Sequence, residues 1–144
     1  MEKKANNEDK IMWKVMIVDD EKLICKLVQA LVEWDKLGMQ MAAQAENAIQ
    51  ALDMLQQYRP DILITDIRMP GMDGLELIKN AKKICPELEI IIISGYAHFE
   101  YARNALSLGV GNYLLKPIKQ DELNETLRKI GERLDAKKCA QGME

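Results

Sequence analysis

The chain alternates two kinds of apolar pattern, and this alternation restricts its fold more than any other feature. Short apolar runs typical of buried strands are separated by longer stretches whose apolar residues recur at helical spacing. Five strands are predicted, at residues 14–18, 40–45, 61–65, 89–94 and 112–115. Such alternation predicts an α/β domain with a parallel sheet and right-handed crossovers that place helices on both faces.

Five helices are predicted between and after these strands. The first begins near Asp20 or Glu21, and its apolar residues are Leu23, Ile24, Leu27, Val28, Leu31 and Val32. The second has Asn47 as its predicted N-cap and carries Ala48, Ile49, Leu52 and Leu55 on one face. The third runs from Gly74 to Ile84 behind Asp73, which pairs with Glu76 at capping-box spacing. The fourth contains Phe99, Ala102, Ala105 and Leu106, and the fifth contains Leu123, Leu127, Ile130 and Leu134.

Polar residues follow the predicted strands at the end where a doubly wound sheet binds its ligands. They are Asp19, Asp20, Asp66, Ser94 and Lys116. If the strands are parallel, three carboxylates and one ammonium group meet at one edge of the sheet. This combination predicts a site for a divalent cation and a phosphoryl group.

Length and composition indicate one domain. A chain of 144 residues with 48% hydrophobic residues is long enough for one sizeable core. We expect the domain at residues 13–136, a mobile N-terminal arm at 1–12, and a C-terminal arm or linker at 137–144. Apolar periodicity stops after Leu134, and residues from Ala136 onward are small or charged.

The overall charge and the absence of apolar tracts exclude some function classes. A net charge of −3 argues against nucleic-acid binding by this domain, because such surfaces are usually basic. No apolar stretch reaches transmembrane length, and the start lacks a signal-peptide core. The three cysteines are widely separated and lack metal-ligand spacing. We therefore expect a cytoplasmic protein with reduced thiols and no membrane association.

The predicted site suits Mg²⁺, which prefers oxygen ligands in octahedral geometry. We expect the metal ligands to be Asp20, Asp66 and the backbone carbonyl of Arg68, with Asp19 acting through a water molecule. Asp66 is then the nucleophile that accepts a phosphoryl group, and Lys116 neutralises charge on the transferring oxygens. The hydroxyl of Ser94 is placed to hydrogen-bond a phosphoryl oxygen.

The chain resembles the receiver domains of two-component response regulators over residues 14–134. Four motifs carry the resemblance: Val18-Asp19-Asp20-Glu21, Thr65 to Gly74, Ile93-Ser94-Gly95-Tyr96 and Tyr113-Leu114-Leu115-Lys116-Pro117. The resemblance implies a flavodoxin-like, five-stranded sheet of order 2-1-3-4-5. It implies that Asp66 is the phosphoacceptor, Asp19 and Asp20 form the metal pocket, and Ser94 and Tyr113 are the switch residues. It also implies a cis bond between Lys116 and Pro117 and phosphorylation by a sensor histidine kinase.

A closer resemblance is to receivers of YesN-type regulators, which carry an AraC-type DNA-binding output domain. The segments that carry it are Trp34 to Gly38 and Ser94 to Ala102. This chain contains no output domain, so we favour a receiver excised from a longer transcription factor over a stand-alone receiver. The resemblance also implies a homodimer through the fourth predicted helix, the fifth strand and the fifth helix. DNA contact is expected only through the absent output domain.

We expect a phosphoacceptor switch that is not an enzyme beyond its self-phosphorylation and autodephosphorylation. Two other functional classes are possible alternatives. A phosphatase of the haloacid-dehalogenase type has a second Asp two residues after its nucleophile, and this chain has Arg68 there. A constitutive interaction module normally loses an acid or the lysine, and none is lost here. Taken singly, Asp19 and Asp20 fit a helix start, Asp66 fits a turn and Lys116 fits a solvated surface.

Overall fold

The computed structural model describes residues 12–67, 69, 71, 74–95 and 112–142. These ranges contain five strands: β1 Trp13–Val18, β2 Met39–Ala45, β3 Ile62–Asp66, β4 Glu89–Ser94 and β5 Asn112–Leu115. They also contain five helices: α1 Lys22–Leu31, α2 Trp34–Leu37, α3 Ala48–Tyr58, α4 Gly74–Ile84 and α5 Gln120–Gly142. The helix predicted around residues 99–106 and the Asp73 cap lie outside the described residues.

All five strands pair in parallel in the order β2-β1-β3-β4-β5. The predicted doubly wound, flavodoxin-like fold is therefore confirmed. Strands β1 and β3 are neighbours, with Val18 opposite Thr65, so the residues that follow them lie side by side. Strand β4 pairs with β3 on its other side and places Ile93 opposite Asp66.

Alternating residues of β1, β3 and β4 contribute to two separate cores, one on each face of the sheet. In β1, Met16 and Val18 face the core formed with α3 and α4, whereas Val15 and Ile17 face the core formed with α1 and α5. Strands buried on both faces must be apolar at nearly every position, as the runs in β1, β3 and β4 are. The site at the strand ends therefore rests on a rigid scaffold.

The face of α1 that packs against the core is not the face that carries Leu23 and Leu27. Cys25, Val28 and Val32 are buried, whereas Leu23 is 77% exposed and Leu27 is 41% exposed. The sequence contains two rows at i, i+4 spacing, displaced by one residue and hence by about 100° around the helix. The predicted amphipathic helix is present, but periodicity did not distinguish these two rows, and the row with Leu23 and Leu27 is the more exposed one.

Helix α3 begins with the predicted cap, because the Asn47 side chain accepts a hydrogen bond of 2.8 Å from the backbone N–H of Gln50. Ala48, Ala51 and Leu55 form its buried face. Ile49, which we expected on that face, is 70% exposed. Two alanines fill the space against the sheet, so the bulkier Ile49 is not needed there.

Helix α5 continues to Gly142, beyond the end that apolar periodicity predicts near Leu134. Residues 136–142 contain no proline and are mostly good helix formers, so the helix continues without an apolar face. The described part of the C-terminal arm expected at 137–144 is thus helical. Along the described stretches of chain, no helix combines the length and apolar character needed to cross a membrane.

Candidate functional site: an acidic pocket at the carboxyl ends of the strands

Three carboxylates meet at the ends of β1 and β3. Asp19 and Asp20 follow the last residue of β1, and Asp66 is the last residue of β3. One oxygen from each of Asp19, Asp20 and Asp66 lies within 4.8 Å of the other two. Asp19 and Asp66 are buried and Asp20 is exposed, so the cluster is a pocket that opens to solvent on one side.

Asp66 is held by groups of its own strand end. Its Oδ1 accepts a hydrogen bond of 2.7 Å from the backbone N–H of Ile67. Its backbone carbonyl accepts a hydrogen bond of 2.9 Å from the buried Thr65 hydroxyl. Both the main chain and the carboxylate of Asp66 are therefore fixed in direction.

Lys116, which follows the last residue of β5, contributes an ammonium group to the pocket. Among the described residues it is the only lysine there. Its Nζ lies 3.3 Å from Asp66 Oδ2 and 3.6 Å from Asp19 Oδ2. Its backbone N–H donates to the carbonyl of Ser94 at 2.8 Å, and the Lys116–Pro117 peptide bond is cis. A side chain fifty residues from Asp66 in sequence thus reaches the same pocket.

The pocket perturbs the ionisation of its members. The net pKa of Asp19 is raised to about 6: burial is the largest cause and the charges of Asp66 and Asp20 add to it, whereas the Glu21 N–H and Lys116 oppose the rise. Burial lowers the pKa of Lys116, but the charges of Asp66 and Asp19 outweigh it and the net shift is upward. Lys116 therefore remains charged, whereas ionisation of the buried Asp19 carboxylate costs free energy.

The two predicted switch residues lie on the neighbouring strands. Ser94 is buried at the end of β4, one residue beyond the partner of Asp66 in the sheet, and its hydroxyl donates to the Gly95 carbonyl at 3.3 Å. Tyr113 lies on β5 opposite Ile92 and packs against the core formed with α3 and α4. Arg68, whose carbonyl is the remaining predicted ligand, lies outside the described residues.

The donor set fits Mg²⁺. Three carboxylates supply hard oxygen ligands, and the open side next to Asp20 leaves room for the water molecules that this ion retains. The pKa of Asp19 is raised mainly by burial and also by the charges of Asp66 and Asp20, so Lys116 does not fully compensate for the cost of ionising this carboxylate. A divalent cation supplies that compensation.

Two residues that fix the geometry of Asp66 were not singled out from the sequence as site residues. The Thr65 hydroxyl holds the Asp66 carbonyl, and Gly74 N–H donates to the Ile67 carbonyl at 2.7 Å. Thr65 fits a strand as well as a site, so its pattern carries no functional signal. Gly74 does carry a functional signal, because glycine is a poor helix former and yet occupies the first position of α4.

Comparisons with known proteins identify the family of the chain. The chain is 40% identical over 119 residues to the "Uncharacterized transcriptional regulatory protein YesN" of Bacillus subtilis (strain 168), which covers 83% of this chain and 32% of that protein. It is 33% identical over 119 residues to "Transcriptional regulatory protein HptR" of Staphylococcus aureus (strain NCTC 8325 / PS 47), covering 83% of this chain and 46% of that protein. The chain thus spans between a third and a half of the length of these relatives.

A solved structure with a similar fold is the REC domain of AraT, a response regulator from Geobacillus stearothermophilus. Its TM-score is 0.85 at 38% identity, and the match covers 89% of this chain and 99% of that one. The protein family described as "Response regulator receiver domain" matches residues 15–128, which is most of the chain. The chain therefore belongs to the receiver domains of two-component response regulators.

Proposed function

We propose that the chain is a phosphorylation-dependent switch that accepts a phosphoryl group on Asp66 from a sensor histidine kinase. The observation that supports this most strongly is the position of Asp66, buried at the base of the acidic pocket with Oδ2 only 3.3 Å from Lys116 Nζ. Burial limits the approach of water, and the ammonium group lies where it can pair with negative charge on a transferring phosphoryl group.

The reaction is an in-line displacement at phosphorus. A carboxylate oxygen of Asp66 forms a bond to phosphorus while the bond between phosphorus and the donor's imidazole nitrogen breaks, and the bonding electron pair leaves with that nitrogen. Lys116 pairs with the negative charge on the transferring oxygens. Asp20 and Asp66, with Asp19 through a water molecule, would hold Mg²⁺, which would supply the remaining charge neutralisation.

The response to phosphorylation follows from the charge that arrives. A phosphoryl group adds about 1.5 to 2 negative charges at Asp66. We propose that the Ser94 hydroxyl then exchanges its bond with the Gly95 carbonyl for a phosphoryl oxygen, and that Tyr113 moves into the vacated space. A Tyr113 side chain that keeps one position with and without beryllofluoride would contradict this step.

The kinase, in this proposal, docks on the outer face of α1. That helix begins two residues after Asp20, and Leu23 and Leu27 expose an apolar stripe one turn apart beside the pocket. Replacing both leucines with alanine should reduce phosphotransfer from the kinase at least about tenfold and leave acetyl phosphate labelling unchanged. Ile49→Ala is the control, because Ile49 is 70% exposed, close to the 77% of Leu23, and lies on a different helix.

The wider roles are proposals as well. YesN and HptR are named as transcriptional regulatory proteins and are longer than this chain. We propose that the receiver controls an AraC-type DNA-binding domain, and that phosphorylation favours a homodimer through β5, α5 and the helix predicted at residues 99–106. A cytoplasmic location is consistent with the three free cysteines, Cys25, Cys85 and Cys139.

Acetyl phosphate labelling tests the function. Intact mass should show one added phosphoryl group on the wild type with Mg²⁺, and none with a chelator or in Asp66→Asn. Sustained release of inorganic phosphate from many small phosphomonoesters would instead indicate a hydrolase. A wild-type protein that binds Mg²⁺ and gains no mass would indicate an interaction module.

A further inference from the structure

Gly74 lies closer to the phosphoacceptor strand end than any side chain would permit. A Cβ atom added at Gly74 would lie 2.6 Å from the Asp66 carbonyl oxygen, 2.7 Å from Ile67 Cα and 2.9 Å from the Ile67 carbonyl oxygen. All three are backbone atoms, which cannot rotate away as the end of a flexible side chain would. The first turn of α4 therefore rests directly on the peptide unit that joins Asp66 to Ile67.

Gly74 also forms a hydrogen bond with this strand end. The backbone N–H of Gly74 donates to the Ile67 carbonyl at 2.7 Å, so the segment between Ile67 and Gly74 is closed at its base. The Thr65 hydroxyl donates at 2.9 Å to the Asp66 carbonyl, which is the oxygen of the Asp66–Ile67 peptide itself. This peptide is thereby held at its own oxygen by Thr65 and at the next carbonyl along the chain by Gly74.

The orientation of that peptide sets the orientation of the carboxylate. The N–H of this peptide belongs to Ile67 and donates to Asp66 Oδ1 at 2.7 Å, which leaves Oδ2 facing Lys116 Nζ. Rotation of the peptide would carry the N–H away from Oδ1. The carboxylate would then lose the bond that directs one oxygen away from Lys116 and presents the other to it.

We infer that Gly74 is a positioning residue for phosphoryl transfer to Asp66. It acts through the Asp66–Ile67 peptide, and only the absence of a side chain allows the approach. This inference rests on the proposed function. It also accounts for the glycine at a helix start where alanine would form a better helix.

The test compares Gly74→Ala with Gly131→Ala. Gly131 is also buried in a helix, but a Cβ there would meet only the terminal methyl of Met39, at 3.2 Å, which can move. The rate constant for labelling by acetyl phosphate with saturating Mg²⁺ should fall about 10- to 100-fold in Gly74→Ala. It should stay within about twofold of wild type in Gly131→Ala. Rates are compared where circular dichroism shows both variants fully folded.

A spectroscopic readout separates positioning from a loss of stability. The Ile67 amide proton, bonded to a carboxylate, should resonate at low field in wild type and in Gly131→Ala, and shift upfield in Gly74→Ala. If Gly74→Ala unfolds in buffer, trimethylamine N-oxide is added to all three proteins to restore folding. In wild type, a scalar coupling across the hydrogen bond from Gly74 N to the Ile67 carbonyl carbon should be measurable.

A folded Gly74→Ala protein with the wild-type rate and an unchanged Ile67 amide signal would overturn the inference. So would the absence of the coupling between Gly74 and Ile67 in wild type. Failure of the wild type itself to gain a phosphoryl group would instead overturn the proposed function. The two failures are therefore distinguishable.

Discussion

At the residue scale, the pocket costs folding free energy because it holds like charges in a buried place. Asp19 is only 2% exposed, lies beside two other carboxylates and has a pKa raised to about 6. The same carboxylate also accepts a hydrogen bond of 2.9 Å from the Glu21 N–H at the start of α1. Asp19 thus serves both as a helix-start acceptor and as a member of the pocket, and its charge is the costly part.

Replacing Asp19 with asparagine should stabilise the metal-free protein. Asparagine keeps the oxygen that accepts the Glu21 N–H and removes the buried charge. We expect the free energy of unfolding at about pH 7.5 to rise by about 1 to 3 kcal/mol, because each pKa unit corresponds to about 1.4 kcal/mol. Urea unfolding with a chelator present measures it. A destabilised Asp19→Asn variant would show that the Asp19 charge is compensated without metal.

The pH dependence of that difference follows from the direction of the shift. The pKa of Asp19 is raised on folding from 3.8 to about 6, so between these values the folded state binds more protons than the unfolded state. The contribution of Asp19 to stability is therefore fully present below about pH 4 and is lost as pH rises through about 6. The advantage of Asp19→Asn over wild type should be near zero at about pH 4 and largest above about pH 7. Urea titrations across this range check it, and a pH-independent difference would contradict it.

At the scale of elements, the buried faces show what sequence periodicity predicts and what it leaves open. The last helix was predicted well, because Leu123, Leu127, Ile130 and Leu134 form a single apolar row and all are buried. In α1 two apolar rows compete, and the row with Leu23 and Leu27 faces outward. The choice depends on the orientation of the helix against the sheet, which the helix sequence alone does not contain.

Alanine substitutions on these two helices should therefore differ sharply. Leu127→Ala should lower the free energy of unfolding by about 2 to 5 kcal/mol, because it opens a cavity between α5 and the sheet. Leu23→Ala should change it by less than about 0.5 kcal/mol, since that side chain is 77% exposed. Urea unfolding of both variants measures the contrast. Equal effects would mean that α1 turns its leucines inward.

At the scale of the whole molecule, the strand number, the parallel sheet and the residues at the strand ends could all be predicted. Strands β1, β3 and β4 are buried on both faces, which leaves a strong local signal in the sequence. The strand order and the cis bond at Lys116–Pro117 came from family resemblance, because no local pattern encodes which strands become neighbours. The close approach of Gly74 to Asp66 depends on distances between elements, which a single sequence does not reveal.

In the proposed switch Asp66 alone accepts the phosphoryl group, and this is tested by mapping the modified residue. Protein labelled with acetyl phosphate and Mg²⁺ is reduced with borohydride, which converts an aspartyl phosphate to homoserine, and is then digested and sequenced by mass spectrometry. We expect homoserine at position 66 and unmodified aspartate at positions 19 and 20. Homoserine at Asp19 or Asp20, or phosphate on Ser94 with Asp66 intact, would contradict the account.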